Sequence, residues 1–245
     1  EDKKPIVCIS STVLPGTAQQ VQDRLGNKAI VVSLPSQATI GRIFKQLLTE
    51  PFSVIIGTQD GSNTAEARIV EDLWIRCGRD FTAYNIFPSH LEFTVTNYAN
   101  AELSKILFLT YLNHQVSYGN FIAELCENVP GGDAEVVLNA MSKDPRMNTA
   151  YMHPGIGAGG PCLPRDTEVL GKFIAYYKAD RSSINSIILS NQYQVYRVID
   201  KVNAILEHVK IQHDYYKSWP KPIEDCKIAI FGLTYKPGYK WLEAS

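Results

Sequence analysis

Over the first ninety-odd positions apolar residues come in short runs separated by amphipathic stretches. Ile6–Ser10, Ile30–Ser33, Phe52–Ile56 and Thr82–Phe87 read as strands, and Thr17–Leu25, Thr39–Leu48 and Ser62–Cys77 read as helices. Alternation of this kind predicts βα units on a parallel sheet. From Asn97 the period lengthens, and helices are expected over Asn97–Asn128, Asp133–Ser142, Asp166–Tyr177 and Ser183–Lys210. In the last of these, Ile184, Ile188, Val195, Ile199, Val202, Leu206 and Val209 recur at helical steps, with a slip between Ile188 and Val195. Such a helix would be about 40 Å long, which suits a spine or a dimer contact as well as burial inside its own domain. A polar, proline-bearing connector over His213–Asp225 leads to Lys227-Ile228-Ala229-Ile230-Phe231-Gly232, which reads as a buried strand and a turn. The chain stops at Ser245 just as this further α/β unit opens, so an incomplete polypeptide is expected.

Composition narrows the class. With 245 residues, 45% hydrophobic, 20% charged and a net charge of −1, the chain has room for one large or two modest domains and no basic footprint for nucleic acid. No apolar run reaches the length of a membrane span, and Glu1-Asp2-Lys3-Lys4-Pro5 does not open a signal peptide. Five scattered cysteines without C-x-x-C spacing read as reduced thiols in a cytosol, and the five histidines show no metal-ligand spacing.

Candidate chemistry concentrates in His153-Pro154-Gly155-Ile156-Gly157-Ala158-Gly159-Gly160-Pro161-Cys162-Leu163-Pro164-Arg165-Asp166. Gly155, Gly157 and Gly160 satisfy G-x-G-x-x-G, but no strand precedes them, and Pro161 and Pro164 interrupt a helix that would start right after them. The loop is therefore rejected as a dinucleotide phosphate site. Its glycines instead suit close approach of backbone to a ligand, or a flexible surface loop. Cys162 stands at the mouth of this loop, as a nucleophile would, or as a structural thiol. Asp166 falls near the first turn of the following helix, either as a base or as a charge complementing the helix dipole.

The cysteine segment resembles the G-x-G-x-G-G-x-C-L-P-K-D motif of the UDP-glucose/GDP-mannose dehydrogenase family. Further ordered matches are Ser11-Thr12-Val13-Leu14-Pro15-Gly16-Thr17 (S-T-V-x-P-G-T), Ala101-Glu102-Leu103-Ser104-Lys105 (A-E-x-x-K), and Phe231–Gly238, similar to the G-L-x-F-K-P-x entry to the family's C-terminal domain. The resemblance covers essentially the whole chain. It implies an α/β fold: residues 1–96 as the end of a Rossmann-like parallel-sheet domain binding NAD, 97–212 as an all-helical central dimerisation and active-site domain with one long helix, and 213–245 as a linker and the first strand of a second Rossmann-like domain. It implies NAD-dependent oxidation of the C6 alcohol of a nucleotide sugar, UDP-glucose or GDP-mannose, to a uronic acid.

By the same resemblance Cys162 forms a thiohemiacetal and then a thioester, Lys105 supplies an ammonium that lowers the thiol's pKa, and Asp166 acts on water or on Lys105. Thr12 positions nicotinamide or water, and Arg165 meets a phosphate of the cofactor or substrate. Arg146 and Tyr151 contact the sugar nucleotide, as do Gly155, Gly157, Gly159 and Gly160. The chain starts after the family's Gly-rich first βα turn. Within the span, Ser36 and Ile40 replace carboxylates, Leu109 replaces an asparagine, Phe121 replaces the glutamate of an N-E pair, and Arg165 replaces a lysine. These departures keep open a second reading, a catalytically degenerate relative kept for dimerisation or nucleotide-sugar binding.

Overall fold

The computed structural model describes residues 4–37, 39, 41–42, 46, 53–81, 92–216, 227–232 and 234. The chain forms two compact units, residues 1–108 and 109–245.

The first unit holds four strands, β1 (Ile6–Ile9), β2 (Ile30–Ser33), β3 (Ser53–Thr58) and β4 (Glu92–Asn97), in sheet order β1-β2-β3-β4. Helix α1 (Thr17–Leu25) connects β1 to β2, α2 (Ala65–Phe81) lies between β3 and β4, and α3 (Tyr98–Asn128) starts directly after β4. Adjacent residues of β2 point to opposite faces, as the two-residue period of a strand requires. Val32 packs with Val54, Ile56, Ala67 and Val70 on the α2 side, whereas Val31 packs with Ala18 and Tyr98 on the α1 side. Helices therefore cover both faces of the sheet.

Two expectations change here. The sheet is mixed, because β1–β2 and β3–β4 are parallel but β2 meets β3 antiparallel at Ser33 and Gly57. Gly57 permits that approach, since a Cβ there would stand 2.9 Å from the Ser33 Cβ and 2.8 Å from that of Ala101. The fourth strand is Glu92–Asn97, whose alternating Phe93 and Val95 pack into the core on the α2 side. The strand expected over Thr82–Phe87 lies outside the described residues, as does most of the helix expected over Thr39–Leu48.

The second unit carries the rest of α3, then α4 (Ala134–Met141), α5 (Leu163–Tyr176) and α6 (Ser182–Tyr216). Asp133 caps α4, its side chain accepting from the N–H groups of Glu135 at 2.9 Å and Val136 at 3.1 Å. Ile122, Leu138 and Met152 form the core between α3, α4 and the loop before the glycines. α6 runs 35 residues, longer than its apolar stripe predicts. Its buried side begins with Ile184 and Ile187 and turns polar at Gln194, while Val195 and Ile199 of the expected stripe are exposed. The polar stretch answers acids on α3: Tyr193 donates to Glu124 at 2.9 Å, Arg197 pairs with Glu127, and Lys201 donates to Glu127 at 2.8 Å. Residues 227–232 form no strand, and Ile228, Ile230 and Phe231 are exposed, so the buried strand expected there is not formed. A strand needs a neighbour to satisfy its N–H and C=O groups, and none pairs with this segment among the described residues.

Candidate active site

In the second unit the glycine loop is fastened from two helices. Asn120 of α3 accepts the Gly155 N–H at 2.8 Å. One α3 residue earlier, Gly119 lies so close to the loop that a Cβ would stand 2.3 Å from the Met152 carbonyl oxygen. From α6, Asn191 accepts the Ala158 N–H at 2.7 Å and donates to the Ala158 carbonyl at 3.0 Å. Gly157, at φ 112°, fits under that amide where a Cβ would come within 2.8 Å of it. Gly160 is buried with φ 85°, another conformation that glycine adopts freely. Two of the loop N–H groups expected to face a ligand are thus taken up by asparagine side chains.

The loop delivers Cys162 to the start of α5. Cys162 occupies the N-cap position with φ −102° and ψ −60°, makes no side-chain cap bond, and accepts the Asp166 N–H at its carbonyl, 2.9 Å away. Its thiol is free and half-buried. Pro164 fits the first turn, where its missing N–H costs nothing. Asp166 is 4% exposed; one carboxylate oxygen accepts from the Arg165 Nε at 2.7 Å, and the other has no partner among the described residues. Arg165 is more than half exposed. Its guanidinium pKa is raised above the ordinary value, chiefly by the Asp166 hydrogen bond and to a smaller extent by the charge of Cys162. Cys162, Arg165 and Asp166 therefore form one electrostatic group at the helix start.

Other expected site residues are placed separately. Arg146 is 87% exposed and grips Asp144 at 2.9 and 2.6 Å, which holds that carboxyl below its usual range. Tyr151 is exposed, Gly159 is half-buried, and neither has a hydrogen bond that defines a ligand contact. Lys105 and Thr12 belong to the first unit. Lys105 is 7% exposed, with its ammonium 6.0 Å from the Phe108 ring centroid, and Thr12 is half-buried after β1. Among the replaced positions, Leu109 is buried, Phe121 is 53% exposed, Ser36 is half-buried, and Ile40 lies outside the described residues. No group of three or more His, Cys, Asp or Glu that could hold a metal ion occurs among the described residues.

Sequence reading passed over Asn113 and Asn191, and saw Glu102 and Asn120 only as motif letters without a role. All are polar residues on helices, and Asn191 sits in the slip of the α6 stripe between Ile188 and Val195.

A model of the UDP-glucose/GDP-mannose dehydrogenase family, central domain, matches residues 99–193, which includes the loop, Cys162 and Asp166. Residues 99–193 are thus similar to the central domain of that family. UDP-glucose 6-dehydrogenase of Rickettsia typhi is 26% identical over 247 residues, covering all of this chain and 51% of the relative. UDP-N-acetyl-D-mannosamine dehydrogenase of Methanococcus vannielii is 26% identical over 235 residues, covering 96% and 47%. The native structure of the UDP-N-acetyl-mannosamine dehydrogenase Cap5O from Staphylococcus aureus superposes with a TM-score of 0.66 at 22% identity, covering 98% of this chain and 50% of that one. That likeness is one of fold, the α/β architecture described above. The chain spans about half the length of the curated relatives it matches.

Proposed function

We propose that the protein containing this chain oxidises the C6 alcohol of a nucleotide sugar, UDP-glucose first, to the uronic acid with NAD, and that Cys162 is its nucleophile. The observation that carries this reading is a free, half-buried thiol at the N-cap of α5, beside the buried Asp166, within the matched central domain.

When bound, NAD accepts the hydride in each of two oxidations. The fit of this chain to NAD is partial. Thr12 lies beyond the carboxyl end of β1, where open α/β sheets hold ligands. The N-terminus of α1 does not serve the phosphates, because Glu102 already accepts its Gly16 and Ala18 N–H groups. Arg165, exposed beside Asp166, suits a phosphate of the cofactor or substrate, and Arg146, Tyr151 and the loop glycines suit the sugar nucleotide. In the proposed sequence the Cys162 thiolate adds to the C6 aldehyde, forming a C–S bond. After the second oxidation this becomes a thioester, water attacks its carbonyl carbon, the C–S bond breaks, and the carboxylate leaves. Asp166, with one buried oxygen unengaged, takes the proton from that water. Lys105, buried on α3, stabilises the alkoxide of the first step.

We also propose a homodimer through the helical domain, with residues 1–96, 97–212 and 213–245 as the cofactor, central and nucleotide-binding parts. Leu107, Tyr111, His114, Tyr118, Phe121 and Leu125 follow one another at heptad spacing on an exposed face of α3. The free thiols of Cys8, Cys77, Cys126 and Cys162 suit a reducing cytosol.

The test is NADH and uronate formation by the full-length protein with UDP-glucose and, separately, GDP-mannose. Cys162→Ser is expected to lower uronate formation more than about a thousandfold. Turnover by the Ser variant at the parental rate would remove the covalent role. The second reading, a non-catalytic relative, draws on the exposed Phe121 and buried Leu109 at positions where the family carries polar residues; it predicts no NADH from the parent protein with either sugar.

A further inference from the structure

Asn113 is 1% exposed on α3, and its amide reaches the first turn of α5. Its Nδ2 donates to the Thr167 hydroxyl at 2.9 Å and to the Leu163 carbonyl at 3.3 Å. The Thr167 hydroxyl in turn donates to the same Leu163 carbonyl at 2.7 Å. Both amide protons and the hydroxyl proton are thereby used in a closed triangle. Its two α5 members, Leu163 and Thr167, follow Cys162 by one and five residues. Thr167 is fully buried, so the triangle is shielded from water, where such bonds are strongest. The Asn113 Oδ1 has no partner among the described residues. An aliphatic residue would leave no such unmet oxygen, so the amide here serves the bonds it donates rather than packing.

We propose that Asn113 is a positioning residue for the Cys162 thiol: by pinning Leu163 and Thr167 it holds the first turn of α5 rigid, keeping its N–H groups aligned under the sulfur. This rests on the reading of Cys162 as the nucleophile. A thiolate at a helix N-cap is favoured only while the terminal N–H groups stay aligned, and first turns fray readily unless tied. Cys162 has no side-chain cap bond to tie this turn, and Asn113 supplies the tie from another helix.

The test is iodoacetamide alkylation of the full-length protein as a function of pH, resolved by peptide mass spectrometry, with the half-buried Cys126 as reference in the same chain. Asn113→Ala and the near-isosteric Asn113→Asp, which loses both donors, are expected to slow Cys162 at pH 7 by about fivefold and to raise the midpoint of its rate profile, leaving Cys126 unchanged. In turnover, kcat is expected to fall with KM for the nucleotide sugar unaltered. A Cys162 rate and midpoint in folded Asn113→Asp equal to the parent's overturn the proposal. If both thiols accelerate, the variant has unfolded and Thr167→Val decides: the same selective loss at Cys162 supports the proposal, and its absence overturns it. Alkylation needs no nucleotide sugar. An Asn113-dependent Cys162 in a parent that makes no NADH would therefore retire the dehydrogenase reading alone.

Discussion

At residue scale, Glu102 shows how a motif letter can be structural. Its carboxylate, fully buried, accepts the N–H groups of Gly16 and Ala18 at 2.6 and 2.7 Å and so caps α1 from 84 residues away or more. Gly16 itself, at φ 97°, brings no side chain to that end. Glu102→Ala is expected to cost about 2 kcal/mol, read as a lowered urea midpoint, because two helix-end donors lose their acceptor. Glu102→Gln, which keeps one acceptor oxygen, should fall between. Cys162 was legible because glycines, prolines and an acid gather around it in sequence. Asn113, Asn120 and Asn191 were not, because each acts on backbone at least 33 residues away and looks locally like an ordinary polar helix residue. The interruption of the α6 stripe around Asn191 was the available signal: an apolar face gives way where a side chain must grip a loop.

At the scale of elements, helices were read closely and strands less so. α1 and β2 follow from period, whereas α5 starts at Leu163, three residues before the expected Asp166, because its first turn accommodates Pro164. β4 was missed because Glu92–Asn97 abuts α3 without a turn, so its two-residue alternation merged with the helix that follows. β2–β3 pairing depends on Gly57 meeting Ser33, a contact between segments that no local period encodes. Between α3 and α6, Glu127 offers a pH test. Lys201 first, and Arg197 after it, hold its carboxyl below the ordinary value. A lowered folded pKa contributes stability above the unfolded value, near 4.3, and that contribution is lost as pH falls through the folded value. Glu127 is about half exposed, so solvent screening limits the contribution at neutral pH to less than about 1 kcal/mol. Thermal midpoints of the parent and Glu127→Gln are expected to differ slightly at pH 7 and to converge below about pH 4.

At the scale of the molecule, α3 presents an exposed apolar and aromatic face. His114 stacks on Tyr118 at 6.4 Å, and Tyr118 on Phe121 at 6.0 Å, so the rings of this face line up along the helix. Four- and three-residue steps in alternation are the spacing of helices that wrap one another, which is why a second copy is the proposed occupant. Phe121→Asp in the full-length protein is expected to weaken self-association at least about tenfold, seen by sedimentation velocity across a concentration series, while circular dichroism stays unchanged. An unchanged association constant would move the interface elsewhere. The same helix imposes an opposite rule two residues before Phe121. At Gly119 the helix backbone touches the Met152 carbonyl with no space for a single carbon. Every coding change at that position adds one, so as the gene drifts the exposed aromatics can be exchanged for one another, while position 119 has nowhere to go. The passage of the glycine loop across α3 is in that sense inherited whole or lost whole.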